Sequence, residues 1–254
     1  MNIIFIVGTA GSGKSELTGS FTSWLEHQGE DVISVNLDPG AITLPYSPSV
    51  NVRDYVKVEE VMEEYSLGPN GGLMVACDMI IDVIDELYRE IQEFVPEVVI
   101  IDTPGQMELF AFRSSGPYIT ASLSRERTAV LFLVDSVFAE RPSGLTSSLL
   151  LATSVGYRLQ KPQLNLLSKA DLLPKESIER ALRWVENPLD LMEALSKELA
   201  GLGREVNQRI CEAIHDVNPS PHLLPVSAKT GEGLDDLFSQ LQWVFGGGGE
   251  EYVS

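Results

Sequence analysis

The sequence predicts an α/β fold built on a doubly wound parallel sheet with a helical insertion. Four short runs rich in β-branched residues have the continuous apolar character of strands that are buried on both faces. They are Ile3 to Val7, Val32 to Asn36, Val98 to Ile101 and Ala129 to Val134. Leu164 to Leu167 and Leu223 to Val226 are weaker candidates, and amphipathic helical patterns separate nearly all of these runs. Such alternation implies right-handed crossovers and a ligand site at the carboxyl ends of the strands.

The composition excludes several classes of protein. The chain has 254 residues, of which 44% are hydrophobic, and this is enough for one folded domain with elaborations. Its 37 acidic and 18 basic residues give a formal charge of −19, which repels nucleic acid and anionic membrane surfaces. No apolar stretch approaches the ~20 residues of a membrane span, and no basic region precedes the N-terminal apolar run. We therefore expect a cytoplasmic protein that contacts neither nucleic acid nor membrane directly.

A long amphipathic helix is predicted from Leu73 to Phe94. Its apolar residues recur at alternating gaps of four and three, and acidic residues occupy its other faces. The apolar stripe consists of Leu73, Cys77, Ile80, Ile84, Leu87 and Ile91. Two uses of this stripe remain open: burial against the sheet of the same chain, or contact with a second copy in a dimer.

A helical insert is predicted at about residues 173–220, within a domain that spans residues 1–245. Asn187 and Pro188 are placed as the cap and first turn of a helix. An apolar stripe follows them at Leu191, Leu195, Leu199 and Leu202. Residues 246–254 begin with four glycines and are expected to form a flexible tail.

A phosphate-binding loop is predicted directly after the first strand. The segment Gly8 to Ser15 matches G-x-x-x-x-G-K-[ST] in full and precedes a helical pattern, so the sheet is of the P-loop NTPase type. Glycines let consecutive backbone N–H groups face phosphate oxygens, and the following helix adds its positive N-terminal end. Lys14 is expected to reach the β- and γ-phosphates, and the Ser15 hydroxyl to ligate Mg²⁺. The predicted nucleotide-binding residues here are Gly11, Ser12, Gly13, Lys14, Ser15 and Glu16.

Two further predicted strands end in carboxylates that can approach the γ-phosphate, because neighbouring parallel strands end on the same rim. Asp102 follows an apolar run and is expected to hold a magnesium-bound water, so that Ser15 and Asp102 form the metal site. Asp38 closely follows the second run, and it either acts in catalysis or caps a turn. Gln106 either orients the attacking water or faces solvent in a loop. The N–H of Gly105 is expected to face the γ-phosphate.

Two elements in the second half of the chain predict that the base is guanine. Lys169 and Asp171 belong to an approximate N-K-x-D motif in which Ser168 replaces the usual asparagine, and Ser227 and Ala228 begin an S-A-K element. A carboxylate at Asp171 can accept hydrogen bonds from guanine N1–H and its 2-amino group, whereas adenine offers neither donor. The Lys169 stem can cover one face of the base, and the Ala228 N–H can donate to O6. The contact made by Ser168 is left open.

One further tripeptide, Gly68-Pro69-Asn70, lies between the second and third predicted strands. Taken alone it is a common turn sequence. Together with the P-loop, the Asp38 turn, the segment Asp102 to Gln106 and the two base-reading elements, it makes the chain resemble the GPN-loop GTPases. The resemblance extends from Asn2 to about Phe245, and the chain closely resembles the archaeal single-member form of that family.

The resemblance implies a homodimer of P-loop domains in which the Gly-Pro-Asn loop of one protomer points at the nucleotide of the other. On that basis Asn70 acts in trans on the γ-phosphate or on the released phosphate. Arg53 and Asp54 stand where the family has an arginine–aspartate pair, and a solvated ion pair is the alternative. Eukaryotic relatives are associated with RNA polymerase assembly and nuclear import, and the resemblance suggests a similar role for this chain.

The sequence thus predicts a GTP hydrolase that uses Mg²⁺ and acts as a homodimeric switch on a protein client that the sequence does not identify. The expected catalytic residues are Asp38, Asp102, Gln106 and, in trans, Asn70. One alternative is a P-loop enzyme that transfers phosphate to a small molecule, although the arginines of the insert are scattered among acids and do not resemble a lid. A scaffold that retains GTP without hydrolysis is another.

Overall fold

The computed structural model describes residues 1–124, 127–198, 204–217 and 222–247. The strands in these residues are β1 (Asn2–Gly8), β2 (Val32–Asn36), β3 (Val50–Asn51), β4 (Val98–Asp102), β5 (Arg127–Asp135), β6 (Gln163–Ser168) and β7 (Leu223–Pro225). Within the described residues they form one parallel, seven-stranded sheet in the order β3-β2-β4-β1-β5-β6-β7. Each run predicted as a strand is a strand, and the predicted fold class is confirmed.

Helices cover both faces of this sheet. They are α1 (Lys14–Gln28), α2 (Val58–Glu64), α3 (Pro69–Glu93), α4 (Met107–Ala111), α5 (Ser115–Leu123), α6 (Ser136–Ala139), α7 (Pro142–Leu159), α8 (Lys175–Glu186), α9 (Pro188–Glu198), α10 (Arg204–Val217) and α11 (Leu234–Phe245). Successive residues of a strand point to opposite faces. Phe5 and Val7 accordingly pack in the core with α3, α5 and α7, whereas Ile4 and Ile6 pack with α1 and α11.

The register of the strands brings the candidate site residues to one rim of the sheet. Asp102 at the end of β4 pairs with Ile6 of β1 and with Asn36 of β2. On the other side of β1, Asp135 at the end of β5 pairs with Ser168 of β6. The loops that follow these strands therefore meet at the carboxyl edge, where parallel sheets bind ligands.

The edge strand β3 was not predicted. It has two residues, Val50 and Asn51, which pair with Val35 and Asn36 of β2. Two residues cannot show a period of two, so the strand exists only through this pairing with β2. The Gly-Pro-Asn tripeptide consequently lies between β3 and β4.

Helix α3 begins at Pro69, four residues before the predicted start, because proline fits the first helical position. Most of its apolar stripe is buried, and Ile80, Ile84 and Leu87 belong to the core against the sheet. Of the two uses considered for this stripe, burial within the same chain is the one observed.

The described part of the predicted insert consists of α8, α9 and α10. Pro188 begins α9, and the Asn187 side chain accepts a hydrogen bond from the backbone N–H of Leu189 at 3.1 Å, as a cap does. Leu191 and Leu195 pack with Cys211 of α10 in a small apolar cluster. Two members of the predicted stripe, Leu199 and Leu202, lie outside the described residues, as do residues 248–254 of the predicted tail. The division of the chain into domain, insert and tail stays a prediction.

The length and apolar character of the described helices bear on whether any of them could span a membrane. No single helix among them is both long and apolar enough to cross a bilayer. Helices α2 and α3 meet the length and composition requirement only as a pair, and this pair is bent by 109° at its break.

Candidate functional site

The loop between β1 and α1 is shaped by its glycines. Gly11 and Gly13 have φ angles of 76° and 94°, in the left-handed region that side chains disfavour. A Cβ on Gly8 would lie 2.7 Å from the Ser12 hydroxyl oxygen, so only glycine fits that close approach. This geometry is the tight turn that the phosphate-binding motif requires ahead of a helix N-terminus.

Lys14 is buried at the centre of the loop, with 5% of its surface exposed. Its ammonium donates hydrogen bonds to the carbonyls of Gly8 at 2.9 Å, Thr9 at 3.1 Å and Gly105 at 3.0 Å. Burial lowers the pKa of Lys14, and the negative charges of Asp102 and other nearby carboxylates oppose that effect. The side chain thus joins the P-loop to the loop after β4, which is 91 residues away in sequence.

Asp102 is fully buried at the end of β4. Its Oδ2 accepts a hydrogen bond from the Tyr46 hydroxyl at 3.1 Å, whereas its Oδ1 is buried without a hydrogen-bond partner among the described residues. Burial raises the pKa of Asp102 to about 6, and the nearby Ser15 hydroxyl, the hydrogen bond from Tyr46 and the charge of Lys14 act in the opposite direction. Burial of the Tyr46 hydroxyl, together with the neighbouring carboxylate of Asp102, raises the pKa of Tyr46.

The spare oxygen of Asp102 and the Ser15 hydroxyl suit a hard cation. A buried acceptor without a partner calls for an explanation, and Mg²⁺ prefers oxygen ligands of this kind. Among the described residues no group of three or more His, Cys, Asp or Glu side chains could hold a metal by itself. A site with few protein ligands is typical of magnesium that is bound mainly through phosphates and waters.

Asp38 makes two contacts, of which its position in the sequence revealed only the first. Its Oδ1 accepts the backbone N–H of Gly40 at 2.9 Å, which is the turn contact considered as one alternative. Its Oδ2 accepts the N–H of Gly105 at 2.7 Å. The N–H expected to face the γ-phosphate therefore points at Asp38, and this hydrogen bond links the loops that follow β2 and β4.

Arg53 does not form the solvated ion pair with Asp54 that was the alternative to the family's arginine–aspartate pair. Its guanidinium donates to the Ala41 carbonyl at 2.7 Å and to the Asn51 side chain at 3.2 Å. Asn51 also accepts a hydrogen bond from the Asn36 amide at 2.9 Å. The guanidinium therefore fixes the start of the segment that joins β2 to β3.

Gln106 and Asn70 are both exposed. Gln106 precedes the first turn of α4, directly after the Gly105 carbonyl that Lys14 contacts. Asn70 is the second residue of α3. Leu73, one turn further along the helix, lies close to Gly40: a Cβ added to Gly40 would be 2.7 Å from the Leu73 Cδ1. The structure therefore places the start of α3 beside the Asp38 turn and leaves the Asn70 side chain open to solvent.

The base-reading elements and the P-loop line one cleft with a volume of about 380 Å³. Its walls include Ser12, Gly13, Glu16, Lys169, Asp171 and Ala228. Lys169 adopts a φ of 58°, and its ammonium donates to the Gly11 carbonyl at 2.5 Å and to Asp135 Oδ2 at 2.7 Å. This lysine therefore ties the end of β6 to both the P-loop and the end of β5.

Asp135 is a site residue that the sequence reasoning missed, as is Tyr46. Asp135 is 8% exposed, and its Oδ1 also caps α6 by accepting the N–H of Val137 at 3.0 Å. It directly follows a predicted apolar strand, as Asp102 does, so the same signal could have identified it.

The two base-reading elements are joined by hydrogen bonds. The Ser227 hydroxyl donates to Asp171 Oδ1 at 2.7 Å and accepts the N–H of Thr230 at 3.1 Å. Ser168, whose contact was left open, donates to the Val134 carbonyl at 3.2 Å and so ties β6 to β5. The Ser168 hydroxyl is therefore directed to β5, although both Ser168 and Asp171 line the cleft.

Two arginines of the insert, Arg180 and Arg209, make local contacts. Arg180 donates to the Ser177 hydroxyl at 3.1 Å and lies over the Trp184 ring, while Arg209 pairs with Glu205 of the same helix. Neither contact resembles a lid that closes over a second substrate.

Comparison with known proteins gives the family of the chain. Residues 6–246 match a family model described as "Conserved hypothetical ATP binding protein". GPN-loop GTPase PAB0955 of Pyrococcus abyssi is 36% identical over 237 residues, which cover 92% of this chain and 94% of that protein. GPN-loop GTPase 3 of Kluyveromyces lactis is 30% identical over 95% of this chain and 92% of its own length.

The fold agrees with this similarity. The crystal structure of PAB0955, described as a GTPase in apo form, superposes with a TM-score of 0.82 at 35% identity and covers 94% of this chain and 95% of that one. Likeness of sequence and of fold thus extends over nearly the whole of both chains. The chain belongs to the GPN-loop GTPase family.

Proposed function

We propose that this chain binds GTP with magnesium in the cleft between the P-loop and the base-reading elements, and hydrolyses it to GDP and phosphate. The observation that carries the proposal is the cleft of about 380 Å³, because its lining comes from three distant segments that each suit one part of the nucleotide. Gly13 lies at its phosphate end, and Asp171 and Ala228 lie at its base end.

The base is the point on which the family model and the relatives differ, since the model's description names ATP and the relatives are named GTPases. Asp171 supports guanine. Its carboxylate is held by the Ser227 hydroxyl at 2.7 Å and is exposed to the cleft, where it can accept from N1–H and the 2-amino group. Adenine has no donor at these positions, so it would leave the carboxylate unpaired.

Catalysis in this proposal depends on positioning. Mg²⁺, held by Ser15 and a water on Asp102, would neutralise charge on the β- and γ-phosphates. Lys14 binds the same phosphates, and the exposed Gln106 amide orients the attacking water by accepting a hydrogen bond from one of its O–H groups. Asp38, already bonded to the Gly105 N–H at 2.7 Å, keeps the loop that carries Gln106 in place and can contact the same water.

Two measurements on the purified protein test this proposal. Phosphate release from GTP with magnesium should continue over many turnovers, and GTP should bind far more tightly than ATP. Asp171→Asn should move the preference toward XTP, because the amide can donate to the xanthine 2-oxygen. Equal wild-type affinity for ATP and GTP would refute the guanine assignment. Phosphate transfer to a small-molecule acceptor would instead favour the phosphotransferase.

The proposal includes a homodimer in which Asn70 serves the nucleotide of the partner. Its support is the exposure of Asn70 at the first turn of α3, combined with the contact between Leu73 and Gly40 that brings this turn beside the Asp38 loop. An exposed amide beside the Asp38 loop, with no side-chain hydrogen bond among the described residues, is suited to act on a neighbouring protomer.

A mixed dimer tests the trans arrangement. Asn70→Ala and Asp102→Ala homodimers should each hydrolyse GTP poorly. In a mixed dimer the Asn70→Ala protomer keeps its own Asp102 and receives Asn70 from the other, so one site is complete. Activity should then return in part once two affinity tags have verified the mixed species. Mixed dimers as inactive as both parents would show that Asn70 does not act across the interface.

We further propose that the GTP and GDP states of the dimer present different surfaces to a protein client, as an assembly factor for complexes such as RNA polymerase does. The formal charge of −19 supports a protein client in the cytoplasm rather than nucleic acid or a membrane surface. Hydrogen exchange of residues 104–116 in the two nucleotide states tests the switch, and identical exchange would argue against it.

A further inference from the structure

Tyr46 lies in the segment between β2 and β3 and reaches across the rim to the end of β4. Its hydroxyl donates to Asp102 Oδ2 at 3.1 Å, although the two residues are 56 positions apart. Its ring rests on α1, where a Cβ added to Gly19 would come within 3.0 Å of the Tyr46 Cβ. The side chain is therefore held from two sides, by a helix and by a buried carboxylate.

The segment that carries Tyr46 is itself fixed at both ends. At its start, Gly40 donates to Asp38 and the Ala41 carbonyl accepts from Arg53 at 2.7 Å. At its end, the N–H of Ser49 donates to the Ser34 carbonyl of β2 at 2.8 Å. Tyr46 therefore approaches Asp102 from a segment whose two ends are both held, which favours one orientation of the hydroxyl.

The contact divides the two oxygens of Asp102 between different tasks. Oδ2 is occupied by Tyr46, while Oδ1 is buried and has no hydrogen-bond partner among the described residues. Carboxylates that bind metal are usually oriented by a hydrogen bond to their other oxygen, and losing that partner weakens the metal site.

We propose that Tyr46 is a positioning residue for the magnesium site: its hydroxyl fixes Oδ2 of Asp102 and so leaves Oδ1 directed to the ion or its bound water. The inference rests on the proposed function, which supplies the ion. Tyr46 does not contact the nucleotide in this arrangement and acts only through Asp102.

The test is Tyr46→Phe, which keeps the ring on Gly19 and removes one oxygen. Affinity for a non-hydrolysable GTP analogue is measured in EDTA and across a magnesium titration. The variant should keep the wild-type affinity for the analogue in EDTA. It should need about 10-fold more magnesium to reach half of the increase in affinity that magnesium gives, because loss of a metal-orienting contact has an effect of this size. Tyr55→Phe is the matched control, because it removes the same atom from an exposed hydrogen bond to Glu90. It should titrate like the wild type.

Gly19→Ala provides a second test that separates position from stability. Alanine favours the helix, whereas its Cβ would come to 3.0 Å from the Tyr46 Cβ and press on that side chain. This variant should therefore need more magnesium while its affinity in EDTA stays that of the wild type. A general loosening of the site would weaken binding in EDTA as well, and that outcome overturns the inference.

The other outcomes are also decisive. A wild-type titration curve for Tyr46→Phe overturns the inference and leaves the proposed GTPase intact. Tighter magnesium binding by the variant means that Tyr46 competes with the ion, which also overturns it. A wild-type protein whose nucleotide affinity ignores magnesium contradicts the metal assignment, and with it the inference.

Discussion

The proposed phosphate end, which is the P-loop with the adjoining end of β4, and the proposed base end, which is the part of the cleft lined by Lys169, Asp171 and Ala228, are built differently. At the phosphate end the charges are buried: Lys14 is 5% exposed and Asp102 is 0% exposed. At the base end Asp171 is exposed, and the Lys169 side chain keeps 34% of its surface in solvent. Buried charges are costly to leave without a partner, whereas exposed ones are screened by water. The phosphate end should therefore control how tightly any nucleotide binds, and the base end should control which nucleotide is chosen.

Lys14→Ala should produce the largest effect and sharpen this division. Removing the ammonium deletes two charge-assisted hydrogen bonds, one to the β- and one to the γ-phosphate. At ~2 kcal/mol each they amount to about 4 kcal/mol, or roughly 1000-fold in affinity. Because Lys14 contacts the phosphates and not the base, the affinities for GTP and for ATP should fall by the same factor. Calorimetric titration with both nucleotides measures this. A change in their ratio would break the division between the two ends, and Asp171→Asn is the control that should change the ratio.

The backbone of the two regions can be compared at two glycines, Gly11 in the P-loop and Gly233 directly before α11. Gly233 has a φ of 81°, and a Cβ there would lie 2.1 Å from the Pro225 carbonyl, whereas Gly11 has a φ of 76° and no atom within 4 Å of such a Cβ. Gly233→Ala combines backbone strain with overlap and should lower the free energy of unfolding by about 3 kcal/mol. Gly11→Ala suffers the strain alone and should lose about 1 kcal/mol. Urea unfolding without nucleotide measures both, and equal losses would contradict this account.

How far the sequence predicts this site depends on whether a contact is local. The P-loop conformation follows from its glycines, and the positions of Asp102 at the end of β4 and of Asp171 shortly after β6 follow from apolar runs. The contacts of Lys14 with Gly105 and of Tyr46 with Asp102 join segments 91 and 56 residues apart. Such contacts depend on strand order, which a single sequence does not specify.

The same reasoning explains the elements that the sequence did not reveal. Strand β3 exists because Asn51 can pair with Asn36 of β2 and so extend the edge of the sheet. Asp135 became a site residue because β5 and β6 are neighbours, which lets it meet Lys169 at 2.7 Å. The Asp38 turn was predicted, but its second partner, Gly105, required knowing that β2 and β4 are adjacent.

Gln106→Leu tests whether catalysis at the phosphate end can be separated from binding. Gln106 is exposed and does not help to hold the P-loop, so the variant should bind GTP as the wild type does. Loss of water positioning should slow hydrolysis by about 30-fold, or ~2 kcal/mol in the activation free energy. Single-turnover phosphate release measures the rate. Gln28→Leu, the same change at the exposed end of α1, is the control. Wild-type hydrolysis by Gln106→Leu would transfer the role to Asp38.

The smallest effect concerns the anchor behind the Gln106 loop. Arg113, which follows α4, donates two hydrogen bonds to Asp78 of α3, one of them from Nε at 3.0 Å, and the Ser115 hydroxyl donates to the same carboxylate at 2.9 Å. This anchor joins the loop at the phosphate end to the helix that begins with the Gly-Pro-Asn tripeptide. Both charged side chains keep about a third of their surface exposed, 36% for Arg113 and 35% for Asp78, so the pair should contribute only about 1 kcal/mol to the free energy of unfolding.

The pH dependence of this contribution follows from the direction of the pKa shift. Hydrogen bonding from Arg113 holds the pKa of Asp78 below its ordinary value. The contribution is therefore fully present above the unfolded-state pKa of about 4, and it is lost as pH falls through the lower pKa of the folded state. Asp78→Asn should be less stable than the wild type by about 1 kcal/mol at neutral pH, and the gap should narrow as the solution is acidified below about pH 4. Urea unfolding across this range measures it, with Asp82→Asn on the exposed side of the same helix as the control. A gap that stays constant with pH would mean that packing around Asp78, rather than its charge, holds the anchor, because a neutral packing contribution has no proton to lose.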